Sequence, residues 1–159
     1  MYTNILVPYD GSESANKALA AAIEMGTGSI PVDITVLMVS SNDNIDSTSF
    51  KVAMRMAGAT KEECDKLDFL RDDTLASFKE LMRGRISKFF ESVPENIDVK
   101  IIVKNGSPRE TICAYANDKD NGIDCIVMGR RGLSGIRASL GSVSTAVLRN
   151  TDLPVMVVK

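Results

Sequence analysis

The sequence contains no histidine. That absence removes every Ser-His-Asp or Cys-His relay and every zinc or iron site ligated by imidazole. An enzyme built on this chain would have to work with carboxylates, lysines or a bound Mg²⁺. Cysteine is nearly as scarce: Cys64, Cys113 and Cys125 are odd in number and form no C-x-x-C pair. The set fits a reducing compartment and argues against a zinc knuckle. Cys125, inside an apolar run, reads as a small core residue, with Cys113 as a second.

Long apolar runs are missing as well, since none approaches the roughly 18 residues that a membrane-spanning helix requires. The opening residues, Met1-Tyr-Thr-Asn-Ile-Leu-Val-Pro-Tyr, lack the charged and long apolar regions of a signal peptide. The expected location is therefore the cytoplasm, with no membrane partner. Charge of one sign is also lacking: 19 Lys and Arg against 21 Asp and Glu leave a net charge of -2. Nucleic-acid binders usually carry a basic face, so no nucleic-acid partner is expected. There is no Walker lysine motif and no Ser-Gly-Gly pyrophosphatase loop. The chain is accordingly not expected to be an enzyme, and any ATP hydrolysis would be slow and without an identifiable base. The adjacent acids Glu62-Glu63 and Asp72-Asp73 are explained by helix macrodipoles rather than by acid/base pairing.

What is present describes an ordinary soluble α/β domain. Apolar residues make up 44% and charged ones 25% of 159 residues. A chain of this length forms one domain and buries roughly 68–70% of its unfolded surface on folding, so it needs no disulfide or metal. Residues 3–9 are apolar without polar alternation, as expected of a central parallel strand. A helix starts near Ser12 or Ser14, carries Ala15, Ala18, Leu19, Ala22 and Ile23 as its apolar stripe, and is ended by Gly26 and Gly28. Residues 32–39 form a second strand, rich in β-branched side chains. A polar loop over 40–49 and a short helix over 50–56 follow. Thr60 with Glu63 opens a further helical stretch, and the spacing from Leu75 to Val93 predicts a long amphipathic helix. Residues 41–74 are thus an insertion relative to a minimal α/β unit, within a single domain over 1–159.

Residues 97–104 form a third strand nearer the sheet edge. Ser107, Pro108 and Glu110 then supply an N-cap, an N1 proline and an N3 acid for a helix to Asn117, closed by Gly122. Residues 123–128 make a fourth strand and 142–149 a last helix with Val143, Ala146 and Val147 inward. Residues 154–158 make a fifth strand led by Pro154. The fold class is therefore α/β: one doubly wound, Rossmann-like domain with a five-stranded, mainly parallel sheet and helices on both faces; the strand order expected for it is 3-2-1-4-5.

Function concentrates in Cys125-Ile-Val-Met-Gly129-Arg-Arg-Gly132 and the Gly141-Ser142-Val143-Ser144 that follows it. A buried strand runs into a glycine-punctuated loop that delivers a new helix turn, a pattern suited to holding phosphates. In a doubly wound sheet, ligands bind beyond the carboxyl ends of strands where the order reverses. If strands one and four are neighbours, the glycine loop faces Pro8-Tyr9-Asp10-Gly11 across one crevice. Asp10 then either accepts from ribose hydroxyls or caps its own turn, while the N–H groups of Gly141 to Val143 donate to phosphate oxygens.

At these residues the chain resembles the universal stress proteins, a family with an α/β adenine-nucleotide-binding fold. The resemblance covers nearly the whole length, through Ile5-Leu-Val-Pro-Tyr-Asp-Gly-Ser-Glu, Gly106-Ser-Pro, Met128-Gly-Arg-Arg-Gly132, Gly141-Ser-Val-Ser and Leu153-Pro-Val-Met-Val-Val. The ATP-binding branch is marked by Gly-x2-Gly-x9-Gly-Ser/Thr. Gly129, Gly132, Gly141 and Ser142 match that pattern in type, but eight residues rather than nine separate Gly132 from Gly141. The resemblance implies an ATP- or AMP-binding stress-response regulator, with or without Mg²⁺ and with no metal ligand from protein side chains. It assigns Pro8, Asp10 and Val39 to the base and ribose end, and Met128, Gly129, Gly132, Gly141, Ser142 and Val143 to the ribose and phosphate end. Arg130 and Arg131 occupy the variable part of the motif, able to neutralise phosphates but equally consistent with plain solvation. The resemblance also implies a homodimer through the last strand, Val155, Met156, Val157 and Val158. A second reading stays open: a nucleotide-independent dimeric module that contacts partners through residues 41–74.

Overall fold

The computed structural model describes residues 1–40, 93–132 and 140–159. The helices expected between residues 50 and 92, the 41–74 insertion, Cys64 and the interior of the Gly132–Gly141 spacer lie outside the described residues. The five apolar runs become five strands: β1 (Asn4–Pro8), β2 (Val32–Ser40), β3 (Ile97–Asn105), β4 (Cys125–Gly129) and β5 (Val155–Val158). They form one sheet in the order β3-β2-β1-β4-β5, and all four pairings are parallel. Among the described residues, three helices join them: α1 (Glu13–Gly26), α2 (Pro108–Asn117) and α3 (Ser142–Asn150). None is long and apolar enough to cross a membrane.

The continuous apolar character of the central strands has a direct cause, because both faces of the sheet are covered. Along β1, Ile5 and Val7 join one core with Ala18, Leu19 and Ala22 of α1, together with Val32, Ile34 and Val36 of β2. Leu6 points the other way, into a second core with Leu37, Ile126, Ile112 and Tyr115 of α2, and Val147 of α3. Helix α1 thus covers one face, and α2 and α3 the other. Strand β3 is the edge strand its alternation suggested, and β5 forms the opposite edge.

Several local expectations are corrected. Gly26 does not terminate α1 by a left-handed turn; it is the last helical residue, and the cap is Thr27 in extended conformation. Its missing side chain serves packing, since a Cβ there would meet Ile97 Cδ1 at 2.9 Å. Ser107 occupies the N-cap of α2 but makes no side-chain cap bond, so proline and the acidic first turn carry that start. Gly122, at φ 63, closes a 3₁₀ turn over Lys119–Asn121 rather than α2 itself, which ends at Asn117. Strand β4 begins two positions later than its apolar run. Ile123 is buried in the second core without joining the ladder, and the Asp124 carboxylate accepts from the N–H groups of Thr3 and Asn4 at 2.7 and 3.1 Å. Pro154 stands just before β5, where its carbonyl accepts from the Ile126 N–H at 2.9 Å.

Candidate functional site

Strands β1 and β4 are adjacent, with Ile5 opposite Cys125 and Leu6 opposite Ile126. Strand order reverses between them, because β2 and β3 extend the sheet on one side of β1 and β4 and β5 on the other. The carboxyl ends of β1 and β4 therefore open on a single switch-point crevice, where α/β sheets take ligands.

The β1 side of the crevice is built by a short turn. Pro8 is buried at the end of β1, and the Tyr9 N–H continues the ladder to Leu37 O at 2.9 Å. Gly11 has φ 79, a left-handed conformation that a residue without a side chain takes at little cost. That turn brings the Ser12 N–H to Asp10 Oδ1 at 3.0 Å, so Asp10 does cap its own turn through one oxygen. Of the two candidate starts for α1, Ser12 is the cap: its hydroxyl accepts from the Ala15 N–H at 3.2 Å. The Tyr9 hydroxyl donates to Asn16 Oδ1 at 2.5 Å. Burial, and secondarily the Asp10 carboxylate, hold the Tyr9 phenol above its usual pKa and keep it a neutral donor.

The β4 side contains the glycine loop, and the structure revises what its glycines are for. Gly129, Gly132 and Gly141 are absent from the positive-φ set, so space and not backbone freedom is what they provide. A Cβ on Gly129 would strike Ser14, including its carbonyl carbon at 2.7 Å. The close approach at Gly129 in this structure is to the first turn of α1. A Cβ on Gly132 would lie 2.5 Å from Asp10 Oδ2, and one on Gly141 would lie 3.3 Å from both Arg130 O and Arg131 Cα. The described ends of the glycine loop thus lie against the Asp10 turn and against each other.

A network that the sequence did not reveal holds this arrangement. The Arg130 N–H donates to Val158 O at 2.8 Å, and Arg130 O accepts from the Gly141 N–H at 2.9 Å. Ser144, which is buried, donates its hydroxyl to Gly129 O at 3.0 Å and Arg130 O at 3.3 Å. The Ser14 hydroxyl donates to Arg131 O and accepts from the Arg131 N–H at 3.4 Å. Ser14 and Ser144 were not among the expected site residues. The available signal was weak: a serine left over once Ser12 became the cap, and a second serine within Gly-Ser-Val-Ser.

The remaining positions take their places along the rim. Met128 is buried in the second core. Val39 is half-buried near the end of β2, in register with Lys104, and lies two residues beyond the Leu37 that pairs with Pro8. Ser142 is exposed and Val143 half-buried at the start of α3. Because the Gly141 N–H is engaged by Arg130, it is withdrawn from the expected phosphate donors. The N–H groups of Ser142 and Val143 lack intrahelical acceptors by position, and Gly141 adds no side-chain cap. Arg130 and Arg131 are half-buried at the root of the loop. Among the described residues, no three His, Cys, Asp or Glu side chains gather as a metal site.

Comparison with known proteins agrees with this fold. The model of the universal stress protein family matches residues 1–159. Universal stress protein MJ0577 of Methanocaldococcus jannaschii is 31% identical over 160 residues, covering 100% of this chain and 96% of that protein. Its solved structure is similar with a TM-score of 0.70 at 29% identity, covering 100% of this chain and 96% of that one. Universal stress protein UspA from Lactobacillus plantarum gives a TM-score of 0.70 at 28% identity, over 99% and 98% of the two chains. The universal stress protein from Archaeoglobus fulgidus in complex with dAMP shares the fold at 22% identity, with a TM-score of 0.58 over 99% and 98% of the chains.

Proposed function

The chain belongs to the universal stress protein family, and we propose that it is an adenine-nucleotide-binding regulator within it. ATP or AMP lies between the Asp10 turn and the glycine loop. The observation that carries this reading is the contact of Gly132 with Asp10, 2.5 Å from Oδ2 to the position of a Cβ. It joins two half-sites at the switch point, where a ligand spanning both would be gripped at each end.

The groups present suit such a ligand. Asp10 Oδ1 is held by the Ser12 N–H, which aims a carboxylate at ribose hydroxyls. The N–H groups of Ser142 and Val143, at the positive end of the α3 dipole, suit phosphate oxygens. Arg130 and Arg131 add positive charge nearby, and the rim at Pro8 and Val39 takes the base. Mg²⁺, where present, would be held mainly by phosphate oxygens and water. In this reading the protein acts by binding rather than turnover, in keeping with a sequence without histidine. Bound and free states are then read by other proteins or by a second copy of the chain. A structure of the Archaeoglobus fulgidus relative with dAMP is in keeping with this reading.

Isothermal titration with ATP, ADP and AMP tests it, and absence of heat and of thermal stabilisation at millimolar nucleotide would overturn it. Ser142→Asp is the specific control. An acid at the first position of α3 favours the helix dipole, so stability should hold or rise while phosphate affinity falls. Unchanged affinity in that variant would place the phosphates elsewhere.

A further inference from the structure

We infer that Ser14 is a positioning residue for the nucleotide site, a latch that sets the glycine loop in register with the Asp10 turn. The inference rests on the nucleotide reading above and identifies what preorganises that site.

The two halves of the crevice belong to segments more than a hundred positions apart in sequence. Between Asp10 and Gly132 the described contact is a close approach without a hydrogen bond, so it cannot by itself hold the loop. Every backbone polar group of Arg130 and Arg131 is occupied within the protein. The Arg130 N–H goes to Val158, and its carbonyl takes the Gly141 N–H and the Ser144 hydroxyl. These bonds tie the loop to β5 and α3, both on its own side of the crevice. The Arg131 N–H and carbonyl both go to the hydroxyl of Ser14. Among these ties, only this one crosses to the segment that carries Asp10.

Local structure explains why Ser14 is free for the task. Ser12 already caps α1, so the second hydroxyl in Ser-Glu-Ser is not needed for the helix start. Gly129 leaves the room that brings Ser14 against the loop, since any side chain there would strike Ser14. One hydroxyl acting as both donor and acceptor to one residue holds the two peptide groups that flank that residue's Cα. Gly132 is the next residue and meets Asp10. Loss of the hydroxyl therefore loosens Gly132 against Asp10 and spares the core.

The test is titration of the intact chain with ATP and with AMP, for the natural sequence, Ser14→Ala and Ser14→Thr. We expect Ser14→Ala to weaken both nucleotides about tenfold and alike, because both share the ribose end. Ser14→Thr, which keeps the hydroxyl, should recover most of that loss. In nucleotide-free protein, the Arg131 amide, which donates to the Ser14 hydroxyl, should exchange faster in Ser14→Ala while amides of β1 and β4 keep their protection. If the natural chain binds nucleotide and Ser14→Ala binds equally well with unchanged Arg131 exchange, the latch is wrong. If neither nucleotide binds the natural chain but Arg131 exchange still rises in Ser14→Ala, the latch stands and the nucleotide reading fails. Should Ser14→Ala not fold, the natural chain decides: an Arg131 amide exchanging as fast as a free loop amide overturns the latch, and a protected one supports it.

Discussion

Gly132 lies against Asp10 so closely that a Cβ on the glycine would sit 2.5 Å from the carboxylate Oδ2. A residue at the end of the first strand and one in the loop after the fourth thus share one edge of the switch-point crevice. Asp10 is exposed and its carboxylate is the end of a movable side chain. Gly132→Ala should therefore displace Asp10 without disturbing the core. We expect a stability change within about 0.5 kcal/mol and nucleotide affinity lower by about tenfold, read by urea denaturation and by titration. Full affinity in the variant would remove Asp10 from the ribose end.

Gly129→Ala should behave in the opposite manner. The obstacle there is the Ser14 backbone, with its carbonyl carbon at 2.7 Å and oxygen at 2.8 Å. Backbone at the start of α1 cannot rotate aside, so the variant should lose about 1–3 kcal/mol of stability as an overpacked site. The urea midpoint measures it, and a midpoint equal to that of the natural chain would contradict the packing described.

Ser144→Ala removes a buried donor from Gly129 O and Arg130 O. Arg130 O keeps the Gly141 N–H as a partner, which limits the damage. The expected cost is about 1–2 kcal/mol, with faster exchange of the Gly141 amide as the local sign. Ser144→Thr, which retains the hydroxyl, should fall between the two.

Alkaline pH should destabilise the fold through Cys125. Burial, with a smaller contribution from Asp124, pushes its thiol from the ordinary 9.0 up to about 11. The unfolded chain releases that proton first, so the unfolded state gains from rising pH before the folded state does. Stability contributed by the neutral thiol is complete below about pH 9 and is lost as pH climbs to about 11. The Tyr9 phenol, raised mainly by burial, adds a loss of the same sign at higher pH. Urea midpoints across this range should fall, and Cys125→Ala should start lower but fall less steeply. An equal slope in the variant would assign the loss to other groups.

Strand β5 forms the sheet edge opposite β3, and Met156 on it is 42% exposed. An apolar edge of this kind is a liability unless paired. We expect a dimer by light scattering at micromolar concentration and dissociation on Met156→Lys, which places a charge on that edge. A monomer in the natural chain would leave the edge unpartnered and remove the expected homodimer.

The strands and their parallel pairing were legible in the sequence, whereas the adjacency of β1 and β4 was a condition that the structure met. Unalternated apolar runs such as residues 5–7 occur where both faces are buried, and connections too long for hairpins enforce parallel neighbours. Helix starts were legible to within a turn: α1 was narrowed to Ser12 or Ser14, and the bond from the Ala15 N–H to the Ser12 hydroxyl decides between them. Strand β4 was misplaced by two residues because Ile123 is apolar for burial alone, and burial without a ladder looks the same in a sequence.

The site was legible as a list of positions but not as a mechanism. The glycines of the loop could be found by spacing, yet spacing does not say what each one makes room for. Space around Gly129 is filled by Ser14, space around Gly132 by Asp10, and space around Gly141 by the loop itself. Likewise, Gly141 looked like a phosphate donor until its N–H was seen bound to Arg130. What the sequence alone determined are properties set by neighbours within a few residues: strand type, helix start, and the absence of histidine chemistry. What only the tertiary structure decided is which distant backbone meets which hydroxyl. Contacts such as Ser14 with Arg131 depend on how two strands pair and leave no local periodicity behind.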